Sequence, residues 1–393
     1  MTVDPQVMDQ LRGAVCRERL VETAVRLIEV PSPTRSAQAV ADRLAEILEH
    51  EGFKLERPEA GWPDAPAVVA RWSSGRPGRT VQFNGHLDTV HLPFVPPRVE
   101  NGVMYGSGAS DMKGGIAAMV EAMRVLRETG RLIVGGVLLT AHDLHESPWG
   151  DGRQVDGLID AGYVGDGVLL PEYLCNCMPV VGRGLAILQA SIRRSGSPMH
   201  EVLGGIEQPN VIAAGAELVR RLAALDSRLQ EHTHPLAGRA SVFVGQVASG
   251  EIYNQSPTEF HLAGTRRWLP GTPIGEVEEE YRAILTQVAQ ETGTEVASTF
   301  LVARDAFELS DGPLLDAFQE GCTAVMGEPL PRGAKPFVDD GNAFVARAGI
   351  PAITHGPRAT GAHTLEERVP VDELVRVALV YATTAIAFCT TSS

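Results

Sequence analysis

Cysteine is scarce in this chain. Five cysteines are scattered over 393 residues, at Cys16, Cys175, Cys177, Cys322 and Cys389, which argues against a disulfide framework. Cys175 and Cys177 flank a single residue, but no further Cys or His pair completes a zinc knuckle, so they read as two loop or buried thiols. Basic runs are missing too, and the formal charge is -15. This argues against a nucleic-acid backbone or an anionic membrane surface as a partner and favours a small molecule. Nowhere do about 18 uncharged apolar residues run together, and residues 1–19 are polar with no apolar signal region. The expectation is a cytoplasmic protein. No internal repeat or low-complexity segment occurs.

What is present is ordinary globular material, 44% hydrophobic and 21% charged, long enough for two or three domains. Apolar residues recur at helical spacing over 20–28, before the two prolines of "VPSPT", and again over 36–51, which predicts amphipathic helices. Short β-type runs follow at 67–72, 80–88 and 132–141, with a helix predicted over 113–129. Strands alternating with helices predict an α/β sheet whose functional groups sit at the carboxyl ends of its strands. From 184 to 304 the pattern becomes strand, helix, strand, strand, helix, strand (185–193, 210–225, 240–246, 258–266, 274–292, 294–302), the order of a ferredoxin-like domain. Helices over 314–326 and 371–388, around the apolar "GIPAITHGP", return to the first style. The expected organisation is a catalytic domain in two parts, 1–183 and 305–393, with a ferredoxin-like domain inserted at 184–304.

Three fragments carry groups able to do chemistry. "FNGHLDTV" places His86 two residues ahead of Asp88, so in an extended segment both side chains point the same way, and the carboxylate can fix the imidazole tautomer. Alone, this is equally a surface pair. "YGSGASDMKGG" packs glycines around Asp111 directly ahead of a helix, where an aspartate is ordinarily a helix cap. "LLTAHDLHE" crowds His142, Asp143, His145 and Glu146 into five positions at the end of an apolar run.

Together, "GHLDTV" and "GSGASDMKGG" resemble the co-catalytic zinc metallopeptidases and aminoacylases, a family that includes acetylornithine deacetylase, succinyl-diaminopimelate desuccinylase, glutamate carboxypeptidase and allantoate amidohydrolase. The likeness spans nearly the whole chain. It implies a zinc-peptidase-like catalytic domain, a mixed sheet flanked by helices, with the inserted domain acting as lid and dimerisation module. It implies one or two divalent ions per subunit, zinc, manganese or cobalt. His86 becomes a ligand of one metal, Asp88 its orienting carboxylate, Asp111 the bridge between two metals, Glu172 of "DGVLLPEY" a ligand of the first metal, and His363 of "GAHTLEERV" a ligand of the second. An anionic bridge suits two cations about 3.5–4 Å apart, whose repulsion it offsets. Glu367 supports the site, and Asp340 of "VDDGNAF" aligns with a conformation-setting aspartate that could equally be a simple turn residue. His355 has no ligand role in the pattern and reads as structural. In the inserted domain, His200 of "GSPMH" matches a histidine that reaches a neighbouring subunit's site to stabilise an oxyanion. Asn254 and Arg267 match residues that hold a substrate's carboxylate or carbonyl, a task that suits the planar fork of arginine.

The third fragment breaks the pattern. The family carries Asp-Glu-Glu here, the first glutamate a general base toward the attacking water, the second a metal ligand. Without a gap, Leu144 falls at the base and His145 at the ligand, and leucine cannot move a proton. Shifted by one residue, His145 falls at the base and Glu146 at the ligand, with the loop before "WGDG" absorbing the insertion. Glu146 is the favoured ligand, with His145 as base or alternate ligand, and His142 and Asp143 are supporting residues. The implied function is metal-dependent hydrolysis of an amide in a small carboxylate-bearing substrate such as an N-acyl amino acid. The missing glutamate leaves two alternatives, hydrolysis of a ureido, cyclic amide or aromatic amine C–N bond, or a non-catalytic ligand clamp.

Overall fold

A computed structural model describes residues 4–203 and 208–390. The chain divides into two compact units. One comprises Met1–Val180, Leu309–Lys335 and Asp339–Ser393, the other Val181–Glu308 with Pro336–Val338.

The first unit is built on a six-stranded sheet in the order Lys54–Glu56, Val68–Ser73, Gly136–His142, Thr80–His86, Gly167–Leu170, Ala352–Thr354. The first two pairings are antiparallel and the remaining three parallel. The parallel strands therefore end on one edge, at His86, His142, Leu170 and Thr354. That edge is where a sheet of this kind presents its chemistry. Alternation along Thr80–His86 sends Phe83 and Gly85 to one face and Gln82, Asn84 and His86 to the other. On the first face Phe83 meets Tyr381 of the helix Val371–Thr390, ring centroids 5.1 Å apart. A Cβ at Gly85 would come within 3.1 Å of Ile116 on the helix Lys113–Thr129, so glycine lets helix and strand close up. Val371–Thr390 is long and apolar enough to cross a membrane, yet 72% of its apolar window is buried in the fold, which marks it as a core helix. On another side of the sheet, Val155 and Ile159 of Arg153–Asp160 and Phe344 of Asp340–Ala348 pack with Val168, Leu170 and Ala352.

Several bounds differ from the sequence reading for physical reasons. The expected strand over 132–141 begins only at Gly136, because Gly135 takes a left-handed turn (φ 74°) and Ile133 is exposed. Helices at Pro5–Ala14, Arg153–Asp160 and Asp340–Ala348 were not anticipated. Asp340 opens the last of these helices, capped by the Asp339 side chain, and is not a simple turn residue.

The second unit holds a four-stranded antiparallel sheet in the order Ser241–Ser249, Glu259–Trp268, Gly184–Arg193, Glu295–Arg304. Its helices are Val211–Leu229, capped by the Asn210 side chain, and Ile274–Thr292. Numbered in chain order, the strands lie 2-3-1-4, the ferredoxin-like arrangement. Leu188, Ile192, Leu218, Leu222, Phe260 and Tyr281 form its core between helices and sheet. The opposite sheet face leaves Phe243 and Leu301 exposed.

Candidate metal centre

His86 ends its strand fully buried. Its Nδ1 lies 2.9 Å from the Asp88 carbonyl oxygen, and its Nε2 lies 3.1 Å from Asp111 Oδ1 and 3.6 Å from Glu172 Oε1. Asp88 turns toward the third fragment, where its carboxylate accepts the backbone N–H of His145 at 3.1 Å and of Glu146 at 2.9 Å. One aspartate thus ties the His86 loop to the loop whose register was open in the sequence.

Asp111 is not a helix cap. The cap of Lys113–Thr129 is Met112, without a side-chain hydrogen bond. The Asp111 carboxylate is spread instead between two histidines, Oδ1 at 3.1 Å from His86 Nε2 and Oδ2 at 3.2 Å from His363 Nε2. Its turn is braced by Glu367, which accepts from Gly108 N, Ser110 N and Ser110 Oγ at 3.0–3.3 Å. His363 occupies a left-handed backbone conformation (φ 61°) just after Gly361, and its Nε2 also stands 3.1 Å from Glu146 Oε2. Glu172 follows the strand Gly167–Leu170 on a tight turn closed by Leu174 N donating to its carbonyl at 2.6 Å.

His145 stacks on His86, ring centroids 4.0 Å apart and planes within 1°. Its Nδ1 is 3.0 Å from Asp340 Oδ2, and its Nε2 is 3.7 Å from Glu172 Oε1. Asp340 Oδ2 also lies 3.1 Å from His142 Nε2. Next to Asp340, Asp339 accepts from Thr354 Oγ1 at 2.7 Å and pairs with the buried Lys335. Asp143 points away from this cluster, taking the backbone N–H of Arg35 and Ala37 and the Trp62 indole N–H.

The electrostatics favour a cation here. Burial raises the Glu172 carboxyl well above the ordinary range, and the charge of Asp111 adds to it. Burial pulls the His86 imidazole down, but contacts with Asp111 and Asp88 overcome this and hold it well above its usual value. The carboxylates of Asp88, Asp111, Glu146, Glu172 and Asp340 are all buried, and carboxylates so placed need a compensating positive charge. Ligand atoms of His86, His145 and Glu172, and again of His86, Asp111 and Glu146, lie within 4.8 Å of one another. The donor set, imidazole nitrogens with carboxylate oxygens, suits a divalent transition metal.

A profile of the peptidase family M20/M25/M40 matches residues 82–387. The chain belongs to that family. It is similar to a succinyl-diaminopimelate desuccinylase of Halorhodospira halophila, 27% identical over 380 residues, covering 92% of this chain and 96% of the relative. Among solved structures, aminopeptidase PepT of Bacillus cereus superposes with a TM-score of 0.80 at 19% identity, over 96% of this chain and 100% of that one. The YXEP protein of Bacillus subtilis, described as a dinuclear metal-binding peptidase of family M20, gives 0.70 at 17% identity, over 96% and 99%. This M20 chain is a metal-dependent hydrolase of amide bonds with the mixed α/β fold of the family.

His86, Asp88, Asp111, His145, Glu146, Glu172 and His363 converge in the first unit of the M20 fold. His200, Asn254 and Arg267 lie in the second. There His200, on a short strand paired with Gln255–Ser256, has its Nε2 3.0 Å from Asn254 Nδ2. Arg267 is half-buried on Glu259–Trp268, beside Arg183. Sequence reasoning undervalued Asp340, whose contact with two histidines was hidden by some 195 residues of separation, and it did not single out Lys335. The signal available for Asp340 was the doubled aspartate of "VDDGNAF", in which one carboxylate caps the helix and the other is left to face the cluster.

Proposed function

We propose that the protein removes an acyl group from a small N-acyl amino acid, releasing a carboxylate and a free amino acid. The observation that supports this most is Asp111, which offers one oxygen toward His86 and the other toward His363, with Glu172 and Glu146 on either flank. His86, Asp111 and Glu172 would hold one divalent ion, and Asp111, Glu146 and His363 a second, of zinc, manganese or cobalt. When bound, such ions polarise an amide carbonyl and lower the pKa of water into the neutral range.

The chain's own groups supply the rest. Asp88 fixes the His86 ring and the backbone of the 145–146 loop. His145 and Glu146 are the pair that carries the proton and ligand duties which other members divide between two glutamates. Arg267 and Asn254 hold the substrate carboxylate, the guanidinium by a bidentate contact. His200 steadies the developing oxyanion, contributed by a second copy of the chain in a homodimer formed through the ferredoxin-like unit together with Asn254, whose Nδ2 lies 3.0 Å from its Nε2; the exposed Phe243 and Leu301 of that unit support such pairing. All five cysteines are free, which supports a cytoplasmic location.

The test is turnover of a panel of N-succinyl, N-acetyl and aminoacyl amino acids by protein stripped with chelator and reloaded with zinc, manganese or cobalt. Metal-restored release of the free amine from at least one of them is expected. Turnover confined to ureido, cyclic amide or aromatic amine substrates would replace the proposed substrate class. Metal uptake without turnover of any C–N substrate would make the protein a ligand clamp.

A further inference from the structure

We propose that Trp149 and His91 form an aromatic wall beside the metal centre that receives the acyl half of the substrate, so that the protein prefers N-acyl amino acids whose acyl group is aromatic or bulky and apolar. The inference rests on the deacylase reading above, which gives the amino-acid carboxylate to Arg267 and Asn254, and it supplies the acyl side that reading left open.

The exposure of the centre sets where a substrate arrives. His86, Asp88, Asp111 and Glu172 are buried, whereas the His363 side chain is 50% exposed and stands 3.1 Å from Glu146. The accessible side of the cluster is therefore the side of His363 and Glu146. Trp149 lies three residues beyond Glu146, and three residues span at most about 11 Å even when fully extended. The chain is not extended here, since Gly150 N donates to the Glu146 carbonyl oxygen at 2.6 Å and folds 146–150 into a turn. His91 is likewise three residues beyond Asp88. The two rings meet with centroids 4.5 Å apart and planes tilted by 50°, a favourable packing for aromatic side chains.

The backbone behind the wall is strapped in place. Thr34 Oγ1 is 3.4 Å from the Thr89 carbonyl oxygen and 3.3 Å from that of Glu146, and Thr89 N donates to the Ser32 carbonyl oxygen at 2.8 Å. A Cβ on Gly150 would stand 2.5 Å from the His145 carbonyl carbon, so the turn bearing Trp149 packs directly on the backbone that carries Glu146. Rings held in this way lose little freedom when a ligand settles on them.

The wall has no cover. Trp149 is 42% exposed, and Leu92 and Phe94, in the segment that follows His91, are exposed too. Tryptophan ordinarily buries most of its surface, and apolar side chains left bare beside a few convergent polar groups are what a small-molecule site presents. An apolar acyl group gains by covering them, whereas a carboxylate would have to give up its water there. Arg35 is the competing feature: its Nε donates to the Trp149 carbonyl oxygen at 3.1 Å, and its charge would draw the far carboxylate of an N-succinyl group. N-succinyl substrates are therefore the contrary arm of the test.

The experiment uses zinc-loaded full-length protein, as wild type, Trp149→Ala, Trp149→Phe and His91→Ala, with N-acetyl, N-succinyl and N-phenylacetyl derivatives of one amino acid. Wild-type kcat/KM is expected to be about 10-fold or more higher for the phenylacetyl substrate than for either of the others. In Trp149→Ala the phenylacetyl-to-acetyl ratio should fall by about 10–100-fold, through KM and not kcat, the range for losing one large aromatic contact. Trp149→Phe should recover most of that ratio, and His91→Ala, which removes the ring packed on the indole, should lower it by about 3–10-fold. Calorimetric binding of phenylacetate against acetate repeats the comparison without turnover and should show the same order. A wild type that prefers the succinyl or acetyl substrate, or a ratio unmoved in Trp149→Ala, overturns the inference and leaves the deacylase reading standing. Zinc-loaded wild type that hydrolyses none of the three overturns both.

Discussion

Replacing Asp88 by asparagine probes the joint of the site, because this side chain holds two loops at once. Its carboxylate accepts from the backbone N–H of Glu146 at 2.9 Å and of His145 at 3.1 Å, and it stands 3.6 Å from His86 Nδ1. Asparagine is nearly the same size but keeps one acceptor oxygen. Both bonds end on Oδ2, so a carbonyl oxygen can keep them only without the charge, while the new amide group replaces Oδ1, which faces His145 N at 3.3 Å and His86 Nδ1 at 3.6 Å; at least one hydrogen bond to a charged group is therefore lost inside a fully buried site. Such a bond is worth about 1.5–3 kcal/mol, or about 10–150-fold in an equilibrium constant at roughly 1.4 kcal/mol per decade. Because both loops carry proposed ligands, the loss should fall on metal affinity, in the range of about 10–100-fold seen for outer-shell carboxylates. Chelator competition with zinc measures it directly, and circular dichroism of the metal-free protein checks that the fold is kept. A D88N protein that is folded and binds zinc within twofold of wild type would refute the claim that Asp88 organises the centre.

Two further outcomes follow from packing and burial. A Cβ on Gly356 would stand 2.1 Å from the Glu172 carbonyl oxygen and 2.5 Å from that of Pro171, so Gly356→Ala must displace the turn bearing Glu172; it should cost about 1–3 kcal/mol of stability and weaken zinc binding, and normal affinity would show that this turn does not set the ligand. His355 is buried against Arg376, which donates to its Nε2 at 2.7 Å, and burial together with that cation holds its pKa well below 6.5. The folded state therefore refuses a proton that the unfolded state takes up below that value, and stability falls as pH drops beneath 6.5, by at most about 1.4 kcal/mol per pH unit. His355→Gln should remove this part of the acid slope in urea titrations at pH 7.5 and 5.5; parallel losses in both proteins would refute it.

Much of the fold was legible because period and composition report burial directly. The alternation of 80–86 and the helical spacing of 113–129 place their apolar residues where the sheet and its covering helices need them. The helix expected over 210–225 spans Val211–Leu229, and the Asn210 side chain caps it by accepting from Ile212 N and Ala213 N. The short helices Arg153–Asp160 and Asp340–Ala348 were hidden, since Gly157, Gly341 and Asn342 are weak helix formers and the segments are held by tertiary packing of residues such as Val155 and Phe344. Asp111 was legible only through resemblance. An aspartate ahead of a helix carries the same local signal whether it caps the helix or faces two histidines across the fold.

The fragment 142–146 shows why register inside a site escapes local reasoning. Leu144 adopts a left-handed backbone conformation (φ 68°), which costs a leucine about 1–2 kcal/mol, so nothing in propensity would place the turn there. Its amide donates to Asp143 Oδ1 at 2.6 Å and its side chain is 1% exposed, and those two interactions offset the strain. The reversal at Leu144 lets the following amides, of His145 and Glu146, both point at Asp88, and it carries the His145 ring onto His86. The residue that cannot move a proton thus acts as the hinge: with leucine buried, the next two side chains turn inward, His145 against His86 and Glu146 toward His363. The His145 ring that follows the buried hinge has its plane fixed, by Asp340 on one side and His86 on the other.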